Sequence, residues 1–245
     1  MNHSLTAFAA SIILFAACKK DDDPAPPSGG TPAPAVVTVT DIDGNVYNTV
    51  LIDGDRWMKE NLRTSRYRNG DVISTDMQNA PATMTGACGY PGNDPANNTI
   101  YGKLYNGYAV GDARGICPAG WHMPTDADWI ALEMSLGMPL AQTTLTQEYR
   151  GATQNVGGKL KATTLWDSPN TGATNSSGFN ALPAGYYMQV SNGYSPVGSV
   201  AYFLSSTDAI PGVGYFLRGL SADEGGIDRN MQAYSQGFSC RCVQD

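Results

Sequence analysis

The sequence predicts a loop-rich α+β fold of short antiparallel strands with few short helices. Three observations predict it. Residues 36–62 alternate β-branched and polar positions and are broken twice by Asp-Gly. One well-capped amphipathic segment follows Pro124. From Gly151 onward, short apolar and aromatic runs are separated by clusters of Gly, Asn and Ser.

The chain opens with an export address. The run "LTAFAASIILFAAC" has the length of a signal-peptide core and is shorter than a membrane-spanning helix needs. It ends in Phe15-Ala16-Ala17-Cys18, which resembles the lipobox of bacterial lipoproteins. That resemblance implies a signal peptide over residues 1–17, acylation of Cys18 and contact with a membrane through the lipid anchor. Residues 18–35 follow as Lys19, Lys20, three aspartates and a tract of Pro, Ala, Gly and Ser. Such a tract cannot bury enough apolar surface to fold and reads as a tether. The lysine-then-acidic cluster resembles the surface-export signal of Bacteroidetes-type lipoproteins, implying an outer-membrane lipoprotein that faces the cell exterior.

Residues 36–245 are read as one domain, since no linker-like shift in composition interrupts them. The whole chain carries net charge -7, and without the tether 13 basic residues stand against 19 acidic ones. That balance argues against nucleic acid as a partner, because phosphate binding needs clustered Lys and Arg.

Within the domain, "VVTVTDIDGNVYNTVLIDGDRWMKENL" predicts three antiparallel strands joined by turns at Asp43-Gly44 and Asp53-Gly54. The spacing of Asp41, Asp43 and Asn45 invites a calcium reading. However, the glycine is misplaced for such a loop and no glutamate follows at its twelfth position, so a hairpin turn is preferred. "YRNGDVI" adds an Asn-Gly turn, and Ser74 to Asn98 reads as loop. "YGKLYNGYAV" is a buried strand or a short helix, which periodicity does not decide. Thr125 is a good N-cap, Asp128 stands at the third helical position, and Gly137 offers the stop. Trp129, Leu132 and Leu136 then form a buried stripe, which Ile130 and Met134 widen. "KLKATTLW", "FNALPAGYY", "VAYFLSS", "GYFLRGL" and "FSCRCV" read as short strands.

With Cys18 assigned to lipid, four cysteines remain in an exported chain, which suggests two disulfides. Cys240 and Cys242, two apart, would face the same side of a strand and are poorly placed to bond each other. Each then seeks Cys88 or Cys117. The preferred pairing is Cys117 with Cys242 and Cys88 with Cys240, and the crossed alternative stays open.

Catalytic motifs are scarce. The phosphate-binding loop, the nucleophile elbow, the His-Glu-x-x-His zinc motif and the dinucleotide fingerprint are all missing. His122, the one histidine left after processing, lies between two packing tryptophans and reads as structural. Glu133, Glu148, Asp223, Glu224 and Asp228 show no spacing that specifies a glycosidase pair. No catalytic residue, metal ligand or cofactor is therefore assigned. The region from Trp166 to Tyr194 is dense in Trp, Tyr, Asn, Gly and Ser, a composition suited to stacking on sugars or touching proteins. Trp166, Tyr187, Asn192 and Tyr194 are the candidate ligand-binding residues. For Trp166 and for Phe179 the competing reading is core.

An ordered series of segments carries a family resemblance. "DGNVYNTVLIDGDRWMKENLRTSRYRNGDVI", "YGKLYNGYAV", "GICPAGWHMPTDADWIAL", "GGKLKAT", "SSGFNALPAGYY", "AYFLSST" and "GFSCRCVQD" together resemble the Fibrobacter succinogenes major paralogous domain, from about Asp41 to Asp245. The segment His122 to Trp129 is also similar to one in sulfatase-modifying, formylglycine-generating proteins. The resemblance implies a C-type-lectin-like fold with twisted antiparallel sheets and long loops. A fold does not carry a function with it. The cysteines match no formylglycine-enzyme pair by motif, and the calcium-lectin signatures are missing. The leading expectation is a surface-tethered binding or adhesion module for glycan or protein ligands. The alternatives are a formylglycine-generating-like oxidase or glycan-active enzyme, and a structural component of a surface assembly.

Overall fold

A computed structural model describes Met1, residues 37–146 and residues 148–245 of the chain. The expected signal peptide, lipidated Cys18 and tether lie outside the described residues. The domain is a mixed α+β structure with curled antiparallel sheets and few short helices.

β1 (Thr38–Thr40), β2 (Val46–Ile52) and β3 (Asp55–Met58) form an antiparallel meander. Its second turn has Asp53 and Gly54 at φ 51° and 95°, the double left-handed pair of a type I′ hairpin. At the first turn, the Asp41 carboxylate accepts the amides of Asp43 and Asn45, the Asn45 side chain and the Tyr47 hydroxyl. Four donors occupy its oxygens, so Asp41 braces a turn.

The stretch expected as loop contains β4 (Cys88–Gly89), three single 3₁₀ turns and the start of α1 (Asn98–Tyr101). "YGKLYNGYAV" holds both a strand and a helix, β5 (Leu104–Asn106) and α2 (Gly107–Val110). The change happens at Asn106, whose side-chain oxygen accepts the Ala109 amide and caps the helix.

After β6 (Trp121–His122) comes α3 (Asp126–Ser135), which opens on a complete capping box between Thr125 and Asp128. It ends in a Schellman motif: Met138 N–H bonds Glu133 O, Gly137 N–H bonds Met134 O, and Gly137 takes φ 101°. Trp129 and Leu132 are buried as expected, but Met134 is exposed and Glu133 is buried. The sequence signal treats Glu133 as a surface position, whereas its carboxylate receives Arg150 at 2.9 Å and also pairs with Arg218. Arg218 reaches on to Asp126, which Arg229 holds from the other side, both at 2.8 Å. A paired and hydrogen-bonded carboxylate can enter a core that would reject it alone.

β7 (Tyr149–Arg150) precedes α4 (Val156–Leu160), so "KLKATTLW" begins as helix and its expected strand is not formed. Gly157 and Gly158 let that helix backbone lie directly against the backbone at Gly226 and Gly172, an approach that no Cβ would permit. Of "FNALPAGYY" only the end is strand: β8 (Tyr187–Met188), paired with β9 (Gly193–Tyr194). β10 (Val200–Ile210) and β11 (Gly214–Ser221) match the expected runs, and β12 (Ile227–Ala233) is an additional strand. "FSCRCV" divides between β13 (Gly237–Ser239) and β14 (Val243–Gln244), which belong to different sheets.

The smaller sheet has the order β1-β2-β3-β14-β6; the larger runs β4-β5-β13-β10-β11-β12-β7, with β8 on β13 and β9 on β8. One core cluster joins Tyr47, Met58 and Trp121 to Tyr105, Leu204, Leu217 and Phe238. A second, built on Trp57, Trp129, Phe179 and Phe203, fills the other side of the large sheet beneath α3 and α4. Phe179 is therefore core.

Cys117 and Cys242 are bonded, with Cα atoms 5.9 Å apart. The expected Cys88–Cys240 bond is not formed, and both thiols are free and buried. The register explains why. Cys88 pairs with Tyr105 on β5, and Tyr105 pairs with Phe238 on β13, so a whole strand separates the two cysteines. Two strand spacings are ~10 Å, beyond the ~7 Å that a disulfide spans.

Candidate functional site

The large sheet has a face that is only half covered. Register places Tyr202 opposite Gly219 and Leu204 opposite Leu217 on β10 and β11; across β11, Tyr215 faces Gln232, Leu217 faces Asn230 and Gly219 faces Asp228. Strand alternation puts all these side chains on one side. Leu204, Leu217 and Tyr215 are covered by the first core cluster, whereas Tyr202, Asp228, Asn230 and Gln232 stay partly open.

At that open part the half-buried Tyr186 and Tyr202 rings meet the buried Phe238 ring beneath them. Tyr186 and Tyr202 have centroids 5.7 Å apart, Tyr202 and Phe238 5.8 Å, and Tyr186 and Phe238 6.5 Å. The Tyr202 ring lies across Gly219, where an added Cβ would be 2.7 Å from its Cε1. Glycine is needed there to let the ring lie flat. Beyond Gly219 stands Asp228. Its Oδ1 is shielded from solvent and has no hydrogen-bond partner among the described residues. Burial pushes the Asp228 carboxyl above the ordinary carboxylate range, with Asn230 and Arg150 pulling the other way. The Tyr202 hydroxyl is pushed up to about 12, chiefly by burial, with Tyr149 and Asp228 adding to the shift.

Two clefts follow from this arrangement. One, of about 150 Å³, is lined by the three rings with Met188, Leu217 and Gln232. The next, of about 330 Å³, is lined by Glu148, Tyr149, Asp228 and Asn230. An aromatic floor beside the amide side chains of Asn230 and Gln232 suits a ligand with apolar C–H faces and hydroxyl groups.

The residues singled out from sequence are distributed differently. Tyr187 is fully buried, its hydroxyl 3.1 Å from Gln78 Oε1 and 3.2 Å from Asn192 Oδ1, so it offers no ligand surface. Tyr194 is half-buried, 4.8 Å from the Tyr187 ring. Trp166 is half-buried and donates its indole N–H to Ala181 O at 3.0 Å. The Lys161 amine lies 5.3 Å over its ring and is pushed down to about 8 by burial. Asn192 is exposed at a left-handed turn. Tyr187 is core, Trp166 and Tyr194 pack partly inward, and only Asn192 is exposed, so the four do not form one open surface. The open ring is the neighbouring Tyr186, which alternation turns to the opposite face from Tyr187.

His122 lines a separate cleft of about 360 Å³ with Arg68, Thr125 and Ser206. Its Nδ1 lies 2.7 Å from Asp245 Oδ1, and its Nε2 3.4 Å from Asp128 Oδ2. The Arg68 guanidinium donates to the Cys117 and Trp121 carbonyls. These contacts tie the α3 cap to the chain end and the disulfide. Burial raises the Cys88 and Cys240 thiols, which opposes thiolate formation at neutral pH. Among the described residues, no group of His, Cys, Asp and Glu could hold a metal ion, and no helix is long and apolar enough to cross a membrane.

Comparison with known families gives a match to the Fibrobacter succinogenes major domain over residues 50–244. No curated protein and no solved structure matches the chain.

Proposed function

The chain belongs to the Fibrobacter succinogenes major domain family, and from that premise we propose that it is a surface-tethered binding module whose open aromatic face takes glycan. The observation that carries this reading is the Tyr186–Tyr202–Phe238 stack with the half-buried Asn230 and Gln232 side chains beside it. Sugar rings present C–H faces that pack on aromatic rings, and their hydroxyls exchange hydrogen bonds with such amide side chains. The proposal includes the export address: lipid on Cys18, a tether over residues 18–35 and display on the outer face of the outer membrane. A C-type-lectin-like form of the domain belongs to the same reading.

The test is a glycan array with the unmodified chain and with Tyr202→Ala. Binding to glycans should be present and should weaken by about tenfold or more on losing the ring, the scale of a central aromatic contact. Equal binding by both proteins would move the site elsewhere. Capture of proteins with no glycan bound would favour the protein-ligand alternative.

One observation favours a second reading. Glu148 and Asp228, whose carboxyl burial raises above the ordinary range, line the same cleft, and glycoside hydrolysis uses two carboxyl groups, one of them with its pKa raised. Release of new reducing ends from a bound polysaccharide, abolished in Asp228→Asn, would establish that enzyme.

A further inference from the structure

The open face has an internal order along β12. Asp228, Asn230 and Gln232 alternate onto it, and Tyr234 continues beyond the strand end. At ~3.4 Å per residue, these positions recur every ~7 Å and span ~20 Å. They line three clefts in succession: Asp228 and Asn230 the first, Gln232 the second, and Tyr234 a third of about 310 Å³ that Tyr108, Tyr215 and Asp112 share. Each cleft pairs rings with a hydrogen-bonding group. In the third, Tyr215 and Tyr234 are 4.7 Å apart and Tyr108 lies 5.7 Å from Tyr234.

We infer that the three clefts are successive subsites for one extended, uncharged polysaccharide chain lying along β12, a reading that rests on the glycan-binding proposal above. Charge selects the class of chain. No Lys or Arg among the described residues lines any of the three clefts, while Glu148, Asp228 and Asp112 do. A polyanionic chain would therefore meet carboxylates and no lining cation, since the Arg114 guanidinium behind Asp112 is already paired with Asp112 and Asp71. A peptide adding as a strand is disfavoured by the free edge of β12: β7 covers only Ile227 and Asp228, and the Met231 amide further along is already bonded to Asn230 Oδ1 at 2.8 Å. A single terminal sugar would fill one cleft and leave the other two without a use.

Calorimetric titration of the full chain with cello-, xylo- and manno-oligosaccharides of two to six units tests this, with polygalacturonate as the anionic comparison. In at least one uncharged series, affinity should rise by about tenfold or more from dimer to hexamer as further subsites fill. Tyr234→Ala should remove most of that rise. Because the Tyr234 hydroxyl also bonds Asp208, Tyr234→Phe separates ring from hydroxyl and should keep the length dependence. Affinity that is flat with length, or polygalacturonate binding as tightly as the best uncharged hexamer, overturns the chain assignment and leaves glycan binding standing. If no sugar binds the folded, unmodified chain, both readings fall.

Discussion

At the scale of single residues, Gly219 and Asp228 are the informative positions, because each is chemically improbable without a use for the surface around it. Gly219 lies mid-strand, where glycine weakens a sheet, yet the Tyr202 ring occupies the place of its side chain. Gly219→Ala should lift that ring and weaken glycan binding by about tenfold, while overpacking lowers stability by about 1–3 kcal/mol. Titration beside urea unfolding separates the two effects. Asp228 gives a pH signature. Its folded-state carboxyl is raised, so between the unfolded value near ~3.9 and the raised value the folded protein binds more protons, and stability falls as pH rises through that window. Asp228→Asn removes this dependence. The variant should melt higher than the parent at pH 7, and the difference should shrink as pH falls toward 4. A parent that gains stability from pH 4 to 7 relative to the variant would place the charged form in a favourable environment and overturn this assignment.

At the scale of elements, what was legible depended on whether local chemistry and tertiary role agreed. The first three strands, α3 with its cap and stop, and β10 and β11 follow directly from turns, caps and apolar runs. β12 does not, because Arg229 interrupts the apolar face of Ile227, Met231 and Ala233. Arg229 turns inward to Asp126, while Asp228, Asn230 and Gln232 turn out to the clefts. A charge in the middle of so short an alternation hides the strand that supplies the polar side of the candidate site. Tyr186 is hidden by a related ambiguity, since "GYY" shows two rings and only alternation within an identified strand says which is open. α4 was misread because apolar spacing in "GGKLKA" suits either element and only its glycine-mediated contacts select helix. The ion network beneath β11 and β12 makes this region sensitive. Removing Glu133 leaves Arg150 and Arg218 buried without their shared carboxylate, and Glu133→Ala should cost about 3–5 kcal/mol in urea unfolding. A loss below 1 kcal/mol would mean that the arginines find water or another partner. By comparison, Thr125→Ala should cost only about 1 kcal/mol, because a cap is replaced by solvent.

At the scale of the whole molecule, the cysteines determine how the domain resists unfolding. The Cys117–Cys242 bond joins positions 125 residues apart and ties the loop before β6 to the chain end. In the chain-entropy account, closing a loop of that length restricts the unfolded state by about 4–5 kcal/mol, a large share of a domain's net stability. Cys88 and Cys240 contribute by packing, filling the core on either side of Tyr105. These roles predict different responses to chemistry. Double replacement of Cys117 and Cys242 by serine should lower stability by about 4 kcal/mol and steepen the urea dependence, since the freed unfolded chain exposes more surface. Alkylation of the unreduced native domain should modify Cys88 and Cys240 only at the rate of unfolding, and both should react at once in denaturant. Rapid labelling of either thiol in the native state would show an accessible nucleophile and revive the oxidase reading, whereas slow labelling removes the thiol version of that reading and leaves the proposed glycan site on the aromatic face as the one to test.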